Sequence, residues 1–213
     1  MILNNKKTIA DLLIANIPRD LLMGVEDALQ AGAIRGFNAS KGMNEGHLST
    51  VLGQMRHFHM NEAFNEALIA ANGKPTPIKG NSIVVGQAGL FRLSRFNTSS
   101  KLWNNGRRSR FRREMAETNR AIEQLIQPSL FDLGPITQAT AFFVASFSGS
   151  TKIQPEAPQA IHIAVPDKRM SGWLFKEPLG VFLARYDEVQ SQNDTAMPTL
   201  KQGIIKEHYE PRN

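Results

Sequence analysis

The chain has 213 residues, 41% of them hydrophobic and 21% charged. This is enough to bury a core without covalent staples and unlike a disordered or fibrous composition. It contains no cysteine, which excludes a disulfide framework, thiolate zinc and iron–sulfur sites, and a cysteine nucleophile. The net charge of +6 is modest, and its distribution along the chain is more informative than its size.

In chain order, Thr8 to about Ala31 reads as helix, with Leu12, Leu13, Ile17, Leu21, Leu22, Val25 and Leu29 near helical spacing. Pro18 splits it in two, with Asn16 near the break. The Gly/Asn/Ser-rich stretch 32–46 reads as a loop, too long for the tight turn of a helix-turn-helix. A further helix, starting at about His47 or Arg56, runs to Ala71 and stops at Asn72-Gly73. Pro75 and Pro77 mark a connector. Residues 82–97 form a hairpin candidate turning at 86–89, and 97–106 is a polar loop containing Trp103. The spacing of Phe111, Met115, Ile122, Leu125 and Ile126 predicts one helix over 107–127, with Phe111 on its buried stripe and Pro128 ending it. A second hairpin is expected within 140–165, its first strand almost continuously apolar, and a last helix over 171–187. Paired strands separated by helices point to an α+β fold: two antiparallel hairpins, about 82–97 and 140–165, packed with helices behind a helical N-terminal region. The expected organisation is a single domain over 1–187 (a helical part to 73, then a hairpin/helix part) followed by a polar tail, 188–213.

Between Ala67 and Arg113 lie 47 residues without one Asp or Glu. The same window holds ten basic residues: Lys74, Lys79, Arg92, Arg95, Lys101, Arg107, Arg108, Arg110, Arg112 and Arg113. Elsewhere the chain has 15 basic and 19 acidic residues. Such asymmetry is the footprint of a surface that holds a polyanion. Five arginines fall within residues 107–113, at an expected helix start where acidic residues are normally favoured. Their planar forks suit phosphate oxygens and guanine edges, and Phe91, Phe96 and Trp103 in the same window are of a type that stacks on bases. On these grounds Arg107, Arg108, Arg110, Arg112 and Arg113 are the chief expected phosphate contacts. Arg92, Arg95 and Lys101 support them, and Trp103 is a candidate stacker. Arg92 and Arg95 occupy opposite faces of their strand, so a shared surface accommodates one of them. Set against this, Arg110–Glu114 and Arg113–Glu117 have the spacing of ordinary surface ion pairs.

Enzyme chemistry finds little to stand on, and no cofactor or metal site is expected. No Glu-x-Lys or Asp-x-Lys occurs, so the commonest restriction-type metal site is missing, and no histidine lies between His59 and His162 for a ββα-metal site. There is no P-loop or dinucleotide fingerprint. His57 and His59 diverge on a helix and cannot share an ion, whereas His59 and Glu62 meet at i,i+3. The latter pair is the one candidate acid and base for a metal-independent nuclease. His162, opposite Ile161 and Ile163 in its strand, reads as a sheet histidine. The sequence reading is therefore a nucleic-acid-binding protein, with DNA slightly favoured over RNA. A protein-assembly module, whose arginines meet an acidic partner or a second copy, and the His59/Glu62 nuclease are the alternatives. No signal peptide or long apolar run is evident, so a cytoplasmic location without membrane association is expected.

Overall fold

The computed structural model describes residues 8–99, 103–126, 134–148 and 154–193, without the side chains of 103–105 and 188–193. Among them are six helices and a five-stranded mixed sheet, an α+β arrangement. The N-terminal region is helical throughout: α1 (Ile9–Asn16), α2 (Arg19–Ser40) and α3 (Glu45–Ala70). Thr8 opens α1 with a reciprocal capping box, its hydroxyl accepting from Asp11 N while its own N–H donates to the Asp11 carboxylate. Pro18 supplies the break before α2, as its missing N–H and fixed φ dictate.

The expected loop at 32–46 is mostly helix, and only residues 41–44 connect α2 to α3. Its glycines permit contact instead of ending the helix. A Cβ on Gly32 would lie 2.8 Å from His59 O and Met60 Cα, and one on Gly36 would lie 2.7 Å from Arg56 N. The two helices therefore run antiparallel, backbone against backbone. Leu21, Leu22, Val25, Leu29, Met60, Phe64 and Leu68 are buried in the core that they share with the sheet.

The sheet order is β1 (Val85–Ala88), β2 (Phe91–Ser99), β3 (Ala139–Phe147), β4 (Ala160–Pro166), β5 (Trp173–Pro178). Both expected hairpins are present, with Ala88 facing Phe91 in the first and Phe142 facing Ala164 in the second. The first turns at 89–90, with Gly89 at φ +52°, while Gly86 sits inside β1. Antiparallel pairing alone does not describe the sheet: β2 and β3 run parallel, in register from Phe91–Ala139 to Ser99–Phe147. The chain between them must cross over a face of the sheet. β3 is central and buried on both faces, which accounts for its continuous apolar run. Phe91, Leu93, Phe143, Ile161 and Ile163 face the helices α1, α2, α3 and α6 (Leu179–Asn193). Val85, Phe96, Phe142, Val144 and Ala164 face the crossover, meeting Met115, Ala116 and Met170.

Two sequence expectations change here. The single helix over 107–127 is a 3-10 segment (Trp103–Arg108), α4 (Arg110–Ala116), a second 3-10 segment (Glu117–Arg120) and α5 (Glu123–Ile126). The helix expected over 171–187 begins as strand β5, and α6 starts only after Pro178, a residue that resists helix interiors. The end of the tail, 194–213, lies outside the described residues.

Candidate nucleic-acid interface

The acid-free window folds around the β1 edge of the sheet, and its positions there are fixed by two buried or half-buried asparagines of α3. Asn61 donates to Ser82 O (2.7 Å) and accepts from Val84 N, while Asn65 donates to Thr76 O (3.2 Å). Thr76 in turn pairs with the free edge of β1, its N–H donating to Val85 O and its hydroxyl accepting from Val85 N. Gln87 N donates to Gly73 O. The connector 73–84 is thereby pinned to both helix and sheet, and the edge strand's polar backbone is satisfied.

Between this connector, β1–β2 and the crossover lies a groove of about 540 Å³. Lys74 and Lys79 line it from the connector, Arg92 from β2, and Phe111 from α4, with Gln87 and Gln138 among the polar groups on its walls. Among the described residues no acidic side chain lines it. Arg92 points to the crossover face, in the row Gln87–Arg92–Thr140. Phe111, expected in the buried stripe, is 39% exposed. Met115 and Ala116, one turn on, carry the packing against the sheet, and the short helix leaves Phe111 over the groove.

The five arginines divide. Arg107, Arg108 and Arg113 are exposed, and among the described residues no carboxylate lies within 4.0 Å of them. The Arg113–Glu117 pair is thus not formed. Arg110 is exposed and bonded to Glu114 at 2.7 Å, a surface pair of small energetic weight. Arg112 is half-buried and engaged by the chain itself. Its guanidinium lies 4.6 Å from the Phe96 ring centroid and its Nε donates to Gly106 O at 3.0 Å, while Phe96 stacks on Trp173. Burial lowers the Arg112 pKa. Arg108 and Arg112 do not share one helix, because Ser109 is a non-helical cap between them (φ −82°, ψ 122°). Ser109 Oγ also takes Arg112 N–H, and α4 has only seven residues.

Arg95 leaves the surface set altogether. It is 3% exposed, on the helix-facing side of β2 with Phe91 and Leu93. Its guanidinium donates to His57 O, Asn61 Oδ1 and Asn97 Oδ1, and its Nε has no hydrogen-bond partner. Burial pushes its pKa down to about 9. Arg56 is also buried, resting 4.3 Å over the Phe147 ring, donating to Gln154 Oε1 and Pro155 O, with its pKa lowered to about 10 by burial. Neither lies within 4.0 Å of a carboxylate among the described residues. Sequence reading had no reason to single out Arg56. For Arg95 the alternation Phe91-x-Leu93-x-Arg95 was a usable signal of an inward-facing side chain. Lys101 and the Trp103 side chain fall outside the described residues.

His59 Nδ1 and Glu62 Oε2 are 3.3 Å apart on α3, both partly exposed. His57 is half-buried, its pKa lowered by burial first and by the Arg95 charge second. Among the described residues no group of three or more His, Asp or Glu side chains could hold a metal ion, and no helix is long and apolar enough to cross a membrane. Asn119 was missed entirely by the sequence reading. It is fully buried, donating to Thr140 O and Pro166 O and accepting from Thr140 N at 2.7 Å. These bonds tie the crossover to the start of β3, where β4 provides no partner, and so hold α4 over the sheet. No protein-family profile, curated protein or solved structure matches the chain.

Proposed function

We propose that this protein binds nucleic acid through the groove between connector 73–84, the β1–β2 edge and α4, extended by the exposed arginines beside α4. The observation that carries this reading is the gathering of Lys74, Lys79 and Arg92 in one groove with no acidic lining residue among the described residues. Arg107, Arg108 and Arg113 on the adjoining crossover lack carboxylate partners within 4.0 Å among the described residues. Cations spread over a surface for solubility are normally interspersed with acids, whereas cations collected in a concave site raise the local concentration of an anion. The sequence expectation is thereby revised in its residues: Lys74, Lys79, Arg92, Arg107, Arg108 and Arg113 are the phosphate contacts, Arg110 is a secondary one, and Arg95 and Arg112 serve the fold.

The test is a fluorescence-anisotropy titration of labelled nucleic acid at a series of salt concentrations. Each phosphate contact contributes a slope of about −0.7 to −0.9 in log K against log salt. Six contacts therefore predict a slope of roughly −4 to −5. The triple variant Arg107→Glu, Arg108→Glu, Arg113→Glu should lose most of the affinity while keeping the wild-type melting temperature. Binding indifferent to salt, or unchanged in the triple variant, refutes the reading. Cleavage of the labelled strand in EDTA that disappears on His59→Ala would establish the nuclease alternative in the same experiment.

A further inference from the structure

Resting on that reading, we infer that the groove takes unpaired nucleotides, with Phe111 as the platform on which one base stacks. Among the described residues Phe111 is the one aromatic side chain lining the groove, it is 39% exposed, and Lys74, Lys79 and Arg92 line the same space. An apolar ring among cations has little to offer a phosphate. It matches a nucleotide, which carries an anionic group and a flat π-face that needs a partner.

The bases of a duplex hide their faces against one another and present only edges in the grooves. A ring inside a protein groove therefore reaches a base face only when that base is unpaired. The volume of about 540 Å³ is in the range that encloses a small organic ligand, roughly 300–1,000 Å³, which suits one or two nucleotides and not a double helix. The elements around it also lack what duplex reading requires. α4 has seven residues, about 10 Å of helix. Its Phe111 lines the groove, Arg112 lies on Phe96, and Arg110 is joined to Glu114. No run of base-reading side chains is left on it for a major groove. Gln87 and Gln138 on the groove walls offer amide donors and acceptors to the edge of a stacked base. The pinning of the connector through Asn61, Asn65 and Thr76 means that the cradle exists before the strand arrives, so little ordering cost opposes binding.

The decisive experiment compares three labelled probes of about 20 nucleotides or base pairs, longer than the ~4–16 nucleotides a small domain covers: a thymidine oligomer, a uridine oligomer and a mixed-sequence duplex. Each is titrated with the full chain, with Phe111→Leu, with Phe111→Trp and with the arginine triple variant. The expected result is tighter binding of the oligomers than of the duplex. Phe111→Leu should weaken oligomer binding at least about fivefold while leaving duplex binding and the melting curve unchanged, and Phe111→Trp should retain it. The thymidine and uridine arms separate DNA from RNA as the source of the unpaired strand. A duplex bound as tightly as the oligomers, or Phe111→Leu equal to wild type on all probes, overturns the inference. If the triple variant still loses affinity in that case, the phosphate-binding reading survives alone. If no probe binds, both fall.

Discussion

Gly24 and Gly36 are both helical, three turns apart on α2, and substituting each by alanine should move stability in opposite directions. A Cβ at Gly24 meets nothing within 4 Å, so Gly24→Ala adds helix propensity without a steric term. The gain is about 0.5–1 kcal/mol. At Gly36 the same methyl would lie 2.7 Å from Arg56 N, 2.8 Å from Arg56 Cα and 2.9 Å from Met55 C. These are backbone atoms of a packed helix and cannot swing aside, so α2 and α3 must separate locally. Overpacking of this kind costs about 1–3 kcal/mol, and a forced backbone shift belongs to the upper part of that range. After the propensity gain is subtracted, Gly36→Ala should be destabilised by roughly 1–2 kcal/mol. For a chain of this size each kcal/mol shifts the midpoint by about 2–4 °C. Thermal melts followed by circular dichroism should place Gly24→Ala about 1–4 °C above wild type and Gly36→Ala about 2–8 °C below it. A Gly36→Ala protein that melts with or above wild type would refute the close backbone approach and the account of the 32–46 glycines built on it.

Arg112→Ala should cost about 1–3 kcal/mol of stability through the lost Phe96 contact and the Gly106 hydrogen bond, whereas Arg108→Ala should stay within about 0.5 kcal/mol and weaken only nucleic-acid binding; urea unfolding beside anisotropy separates the two. Asn119→Ala leaves the Thr140 N–H without its partner and two buried carbonyls short of a donor, and should lower stability by about 2–4 kcal/mol in the same denaturant assay. The pH dependence follows from His57, whose folded pKa lies below its ordinary value of 6.5 because of burial and Arg95. The unfolded chain then binds the proton more readily, so this contribution to stability is intact above pH 6.5 and declines as pH falls from there through the folded pKa. Melting temperatures measured downward from neutral pH should fall in that window, and His57→Leu should flatten the fall.

Much of the fold was legible because local chemistry agreed with tertiary demand. Pro18, Asn72-Gly73 and the unbroken apolar run of β3 acted where the sequence placed them, and both hairpins formed, the first with its turn shifted from 86–89 to 89–90. The misreadings share one cause, which is that tertiary contact gave residues a use that local patterning does not encode. Gly32 and Gly36 resemble loop residues until a second helix lies against them. The periodicity of 107–127 fits one helix, but Ser109 capping and the contacts of Thr118 and Asn119 with the start of β3 divide it. Pro178 did carry a warning against a helix beginning at 171. For the candidate site, the acid-free window identified the region but treated its cations as one population. Position in the sheet separates Arg92 from Arg95, and a ring contact removes Arg112. Phe111 became visible only once α4 proved too short to bury it.

The parallel β2–β3 pairing has a kinetic consequence. The α2–α3 hairpin closes across four residues, whereas Phe91 must find Ala139 only after the whole crossover has been gathered in. Non-local parallel pairing is slow relative to local helical contact. Pulse-labelled amides in α2 and α3 should therefore become protected before those of β2 and β3. The groove draws its walls from both sides of that crossover, with Lys74 and Arg92 before it and Phe111 and Gln138 in the segment that leads to β3. A ligand held there would tether the last contacts to form and slow their opening, so an occupied groove would also latch the slowest step of the chain's assembly.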